Sequence, residues 1–368
     1  RVTDSKIAFD KVDVVDARNP NAPQSGFYGL GVWFENSDAE INSCIFSNNV
    51  GDTTGTKRRY YGGAIAHTGA DRRLKITDST FIDNKVSARS DNNLTYGAAI
   101  YAKSTQLMEI SQCLFVNNLS ESSYHGSYGG AIVADGLNKL KITDSQFRNN
   151  RVVKAANHQT TYAYGGAIFS TAKEAEFVNC KFSGNYAIGP AGKGGVLYLN
   201  GKCSLNDCVF LDNGKNTTAC LSSIILIDGS IAATNVLYAN NKIANAFDIT
   251  KGKAEFVNCT IAGAVGYGIA RTGGNVSLVN SIIWGNGAGG VNGSSITATY
   301  CCTQEPMEGV GNFSENPRFK DPANGNYQLT SASPCKNRGT KLNWTKADSD
   351  LNKQMRIRGG AVDLGPYE

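Results

Sequence analysis

Apolar and polar positions alternate along this chain in short runs, and the runs return in a fixed order. Segments such as Leu74-Lys-Ile-Thr-Asp78 and Leu140-Lys-Ile-Thr-Asp144 place apolar residues two apart, the period of a half-buried strand. A tetrapeptide led by Phe and closed by Asn follows: Phe46–Asn49, Phe81–Asn84, Phe115–Asn118, Phe147–Asn150, Phe182–Asn185 and Phe210–Asn213. Weaker copies start at Leu237, Ile261 and Ile283. Successive lead residues lie 35, 34, 32, 35, 28, 27, 24 and 22 positions apart. A second element alternates with the first: Gly62-Gly-Ala-Ile65, Gly97-Ala-Ala-Ile100, Gly129-Gly-Ala-Ile132, Gly165-Gly-Ala-Ile168 and Gly194-Gly-Val-Leu197, with Gly29-Leu-Gly-Val32 as an early copy.

Each unit therefore holds three short strands separated by bends and contains no helical stretch. Such a unit is one coil of a parallel β-helix, which must lie on its neighbours because a single coil cannot cover its own apolar face. The expectation is an all-β solenoid of about ten coils, on the order of 50 Å long at the spacing of paired strands.

The cysteines fit this register. Cys44, Cys113, Cys180, Cys208 and Cys259 stand two residues before the lead residue, where the other coils have Ser79, Ser145, Asn235 and Ser281. Residues two apart share a strand face, so these small side chains should point inward beside the Phe column. Without CxxC-like pairs or convergent His, they read as buried packing residues, and no metal is expected. A stack of Asn amides bonded between coils explains the recurring Asn. Cys203, Cys220, Cys301, Cys302 and Cys335 fall outside the slot; one or two disulfides among them stay open, as does their pairing.

Five of the eight prolines lie after position 300, where the repeat rhythm has ended. The reading is a solenoid over residues 1–300 and a capping segment over residues 301–368, since a stack of coils exposes an apolar end. Of 368 residues 41% are apolar and 18% charged, and 41 are Gly. Many Gly without a G-X-Y period rules out collagen and puts the Gly at tight turns. No apolar run is long enough for a transmembrane helix.

The Gly-Gly-Ala-Ile and Phe-x-x-Asn pair resembles the repeat of the polymorphic outer-membrane proteins, a group that includes bacterial surface adhesins. The ending, from Asn316-Pro-Arg-Phe319 through Gly325-Asn-Tyr-Gln-Leu329 and Ser333-Pro334 to Val362-Asp-Leu-Gly-Pro-Tyr-Glu368, looks like the terminal segment of exported, surface-anchored bacterial β-helix proteins. The resemblance covers most of the chain from Gly29 onward. It implies a right-handed, single-stranded parallel β-helix of the pectin lyase-like kind, exported to the bacterial cell surface or beyond. It is poor for activity, because the same rod carries adhesins, polysaccharide lyases and glycosidases.

The early units are longer because residues are inserted between the Asn of one tetrapeptide and the next Gly-Gly, at Val50–Tyr61, Lys85–Tyr96, Leu119–Tyr128, Arg151–Tyr164 and Tyr186–Lys193. Stacking should bring these insertions, between residues 50 and 193, to one edge as long loops. Together they carry +5, the net charge of the whole chain. Tyr61, Tyr96, Tyr128 and Tyr164 each precede a glycine element. Tyr can stack on sugar rings while Arg faces carboxylates or sulfates. Arg58, Arg59, Tyr60, Arg89, Tyr124, His125, His158 and Tyr162 are therefore the candidate ligand-binding residues, opposite the plainer reading of a Tyr ladder that packs the loops.

The partner expected is a polysaccharide or a host or bacterial surface glycan, bound by a monomer. Nucleic acid is not expected, as the positive surplus is mild and no recognition motif appears. A glycosidase needs a carboxylate pair, and the insertions offer only the scattered Asp52, Asp91 and Glu121. A lyase needs a base and a group that neutralises a uronate, which Arg58, Arg89, His125, His158 and Tyr162 could supply. The balance leans to a non-enzymatic binding or adhesin role without cofactor. A lyase acting on an acidic polymer is the alternative, and Ca2+ enters only with it.

Overall fold

A computed structural model describes the chain except residues 19–25, 54–58, 89–93, 124, 155–161, 190–191, 215–221, 344–348 and 359–360. The coil from Ile65 to Tyr96 sets the pattern. Its strands Ile65–Thr68 and Arg73–Thr77 join a 20-stranded sheet, and Thr80–Ile82 joins an 11-stranded sheet. Lys85–Ala88 and Leu94–Tyr96 enter two 5-stranded sheets. Its pairings with the coils on either side are parallel and in register. The protein is an all-β parallel solenoid. The 11-stranded sheet takes one strand from each successive coil, slightly more than the ten expected.

Corners explain why these residues bend where they do. Asp78 and Asp83 end successive strands at φ +48° and +54°, the left-handed region that Asp and Asn tolerate better than other side chains. The same corner residue precedes the inner Asn in neighbouring coils, as at Asn117 and Asn149 (φ +57° and +55°). Gly62 is required for a different reason. It sits at φ +76°, and a Cβ there would lie 2.0 Å from the Ile65 carbonyl oxygen, so a side chain is excluded.

Inside the rod, Phe46, Phe81, Phe115, Phe147, Phe182 and Phe210 pair in register. Their rings stack 4.6 to 5.0 Å apart and all are buried. The five slot cysteines are buried beside them. Ser replaces Cys there without loss, because each Ser hydroxyl accepts the N–H of the preceding coil's Cys, as from Cys44 to Ser79 at 3.0 Å and from Cys113 to Ser145 at 3.1 Å. A ladder of buried amides runs parallel to them: each Asn Nδ2 donates to the next Asn Oδ1 from Asn49 through Asn84, Asn118, Asn150, Asn185 and Asn213 to Asn241, at 2.8 to 3.0 Å. The second amide proton reaches a Phe carbonyl one coil back, as from Asn118 to Phe81 at 3.0 Å.

The structure corrects two points of the sequence reading and adds detail to two more. Phe210 pairs with Tyr238 and not Leu237, so Tyr238 takes the column, Val236 the Cys slot and Asn241 the ladder. Cys301 belongs to the slot, two residues before Thr303, which pairs with Ile283. The early insertions are more than loops: the first four begin and end in strands of the 5-stranded sheets, and the fifth begins in Tyr186–Ile188 and ends in a bridge from Lys193 to Tyr164. The residues after 300 do more than cover an end. Gln304 brackets Asn286, its side-chain oxygen accepting at 2.9 Å and its amide donating at 3.1 Å, and Phe313 bridges Cys302 on the last coil. From Phe319 onward the chain runs back along the flank. There Tyr327 donates to Asn240 at 2.6 Å and packs on Leu237, Ala239 and Ala262, Asn235 donates to the Ser349 carbonyl at 3.0 Å, and Lys353 pairs with Asp207 at 2.8 Å. Among the described residues no helix is long and apolar enough to cross a membrane.

Candidate functional site

Two aromatic columns meet on the outside of the rod. The first is the Tyr preceding each glycine element. Tyr28, Tyr61, Tyr96, Tyr128 and Tyr164 pair in register, with ring separations of 4.6, 5.0, 5.0 and 5.7 Å. The second is the residue just after each glycine element, the first outward position of the following strand: Trp33, Ala66, Tyr101, Val133, Phe169 and Tyr198. The left-handed Gly turn folds one column against the other. Tyr28 stacks on Trp33 at 4.7 Å, Tyr61 meets Tyr101 at 4.7 Å, and Tyr164 stacks on Tyr198 at 4.8 Å.

Most of these rings are half-buried, and Tyr101 is fully covered. The strip crosses six coils, so it runs about 25 Å along the rod at the spacing of paired strands. Burial, then the stacked phenols beside them, hold the Tyr96 and Tyr164 hydroxyls above the ordinary phenol range. They stay protonated and available as donors. Trp33 donates to Thr68 at 3.0 Å and carries the Arg1 guanidinium 4.5 Å above its ring.

Of the predicted residues, Arg59 and Tyr162 adjoin this strip. Arg59 is exposed one strand position before the buried Tyr60, and the Tyr61 phenol beside it raises the guanidinium's pKa. Tyr162 is 46% exposed with its ring 5.1 Å from Tyr164. His125 is half-buried in the bend leading into Ser127–Tyr128, its N–H bonded to the Ser122 hydroxyl at 3.2 Å. Tyr60 is a correction. It is fully buried, stacked on Phe27 at 5.4 Å and packed with Val86 and Ala98, because alternation along Arg59–Tyr61 turns the middle side chain inward. Arg58, Arg89, Tyr124 and His158 lie outside the described residues, as does Asp91.

Asp52 and Glu121 face outward on the adjacent small sheet with Ser87 between them, about 10 Å apart at two strand spacings. Glu121 is ion-paired with Lys85 at 3.0 Å. Among the described residues, no three His, Cys, Asp or Glu side chains gather where they could hold a metal ion. The residues that sequence reasoning missed are Trp33, Tyr101, Phe169 and Tyr198. Their signal was present: four of six glycine elements are followed at once by an aromatic residue.

Fold and flank together define a parallel β-solenoid with a continuous external aromatic strip. The chain is similar to a probable autotransporter of Escherichia coli strain K12, YfaL, at 27% identity over 166 residues, which is 43% of this chain and 11% of that protein. The chain thus spans a small part of that relative's length. No family model and no solved structure matches it.

Proposed function

We propose that this chain is the stacked body of an exported bacterial surface protein and that it holds a polysaccharide along the aromatic strip. The observation that carries this reading is the strip itself. Half-exposed rings aligned over six coils offer flat apolar faces to sugar rings, and phenol and indole edges to their hydroxyls. An extended chain of four or five sugars matches its length at the rise of paired strands. Arg59 at the margin favours carboxylate- or sulfate-bearing polymers. The likeness to an autotransporter supports a surface setting. The role is adhesion or carbohydrate binding, by a monomer and without a cofactor.

Affinity electrophoresis through gels containing neutral and uronate polysaccharides, paired with a glycan array, tests it. Retardation of the parent, reduced in Trp33→Ala and Tyr162→Ala, is the expected result. Free migration through every polymer with no array signal would overturn it. Uronate polymers incubated with the protein should give a flat ultraviolet trace. A rise in absorbance would make the strip the cleft of a lyase.

A further inference from the structure

We propose that Cys302 and Cys335 form a disulfide that fastens the flanking C-terminal segment to the last coil of the rod. Cys302 lies in Cys302–Thr303, the last strand of the 11-stranded sheet. Its N–H is bonded to the Ser281 carbonyl at 2.9 Å. Thr303 continues the inner column, so Cys302 points outward and meets Ile282, Leu329, Cys335 and Leu364 in a separate apolar cluster. Cys335 belongs to the turn after Pro334. Its N–H is bonded to the Ser333 hydroxyl at 3.1 Å and its carbonyl accepts the Leu364 N–H at 3.0 Å. Both side chains are fully buried free thiols, and the Cys302 thiol donates to the Glu315 carbonyl at 3.1 Å. One apolar cluster of five buried residues thus holds two thiols, one from the last coil and one from the flanking segment, and these are the pair the fold brings together.

The other described cysteines have different duties. Cys44, Cys113, Cys180, Cys208, Cys259 and Cys301 fill the inner slot, and Cys203 is buried between Ala175 and Ile231 of the neighbouring coils. Cys180 and Cys208 are the one slot pair in adjacent coils. Stacked residues have parallel Cα–Cβ bonds about 4.8 Å apart, beyond the usual disulfide Cβ separation. Cys180 donates to Ile142 at 3.4 Å and Cys208 to Phe177 at 3.6 Å. The Cys335 thiol beside it holds Cys302 below the ordinary thiol value.

The chemistry is thiol–disulfide exchange with a disulfide-bearing oxidant, protein or small molecule. Cys302 thiolate attacks the oxidant's disulfide, forming a mixed disulfide and expelling one thiolate. Cys335, having lost its proton, attacks the Cys302 sulfur and expels the second. Two protons and two electrons leave the cysteines, and the oxidant leaves as two thiols.

The test is refolding of the full chain in a buffer of reduced and oxidised glutathione. Alkylation under denaturing, non-reducing conditions and peptide mass spectrometry follow. The expected product is a cross-linked pair of peptides, lighter by two hydrogens, that joins Cys335 to Cys302, with fragmentation distinguishing Cys302 from Cys301. The oxidised parent should also melt above both its reduced form and the Cys302→Ser/Cys335→Ser variant. Complete alkylation of Cys302 and Cys335, or a cross-link from either one to Cys220 or Cys301, overturns the proposal. The mass readout on the parent does not depend on any variant folding.

Discussion

Leu237 and Tyr238 are neighbours in the chain that bury their side chains on opposite faces of one strand. Tyr238 closes the inner column above Phe210 and hydrogen-bonds to Ser223 at 2.6 Å. Leu237 is 2% exposed on the outer face, beneath Tyr327 of the C-terminal segment. The two positions should fail differently. Tyr238→Ala should cost about 3 to 5 kcal/mol of stability, as for a large aromatic deleted from a packed core. Leu237→Ala should cost less and act locally, speeding proteolytic cleavage after Lys336 and Lys353 while the rod resists. Limited digestion followed in time, alongside denaturant unfolding, separates the two. Equal protection of the C-terminal segment in Leu237→Ala and the parent would sink the flank assignment.

The amide ladder predicts an asymmetric response to isosteric change. Asn118 donates to Phe81 and Asn150 and accepts from Asn84. Asn118→Ala should destabilise by about 2 to 4 kcal/mol, since it leaves buried polar groups unsatisfied on two sides. Asn118→Asp keeps the shape but replaces the donor with an oxygen facing the Phe81 carbonyl. It should be at its worst above the carboxylate range, where it also buries a charge. Urea midpoints at acid and neutral pH would check both, and a neutral Asp variant would show that the ladder is not cooperative.

His67 supplies a pH signature. It is fully buried, its Nε2 donating to the Ser37 carbonyl at 2.8 Å and its Nδ1 accepting from the Thr105 hydroxyl at 2.9 Å. Burial lowers its pKa below the ordinary 6.5. A depressed folded value means the neutral ring's contribution is complete above the unfolded pKa. It is lost as pH falls from there toward the folded value. The parent should therefore lose stability below about pH 6.5, and His67→Gln should lose less over the same window. Parallel slopes for the two proteins would remove His67 from the account.

On the aromatic strip, binding and packing can be pulled apart. Tyr162 is nearly half exposed and touches only the edge of the ladder at Tyr164, so Tyr162→Ala should weaken polysaccharide binding with little change in melting temperature. Tyr96 is stacked between Tyr61 and Tyr128, and Tyr96→Ala should lower both. Arg59→Ala should reduce retention by uronate polymers more than by neutral ones, at low salt only, because an exposed charge is screened and contributes little to stability. Unchanged retention of Arg59→Ala on every polymer would leave the strip without an electrostatic role.

The coil was legible in the sequence because its chemistry repeats: an inward Phe, a left-handed Asn or Asp corner, an Asn amide and a Gly that admits no Cβ. The one-residue slip at Tyr238 has a physical cause. Val236-Leu237-Tyr238-Ala239 is apolar on both faces, since a second part of the chain covers its outside, and alternation carries no information there. The same covering was invisible because it joins residues about a hundred positions apart. Tyr60 was misjudged because Tyr60 and Tyr61 are identical in type, and only the strand phase decides which one is outside. The second aromatic column was missed because Ala66 and Val133 interrupt it.

The C-terminal flank also fixes an order of events. A chain made or exported from its N-terminal end can stack its early coils as they appear, each on the one before. The coils carrying Leu237, Ala239 and Ala262 have their inner faces satisfied at the same stage, but their outer faces stay bare until Phe319, Tyr327 and Leu351 arrive. Completion is therefore a final docking event. A chain cut short by its last fifty or so residues would be a finished rod with an adhesive side, prone to associate through that patch.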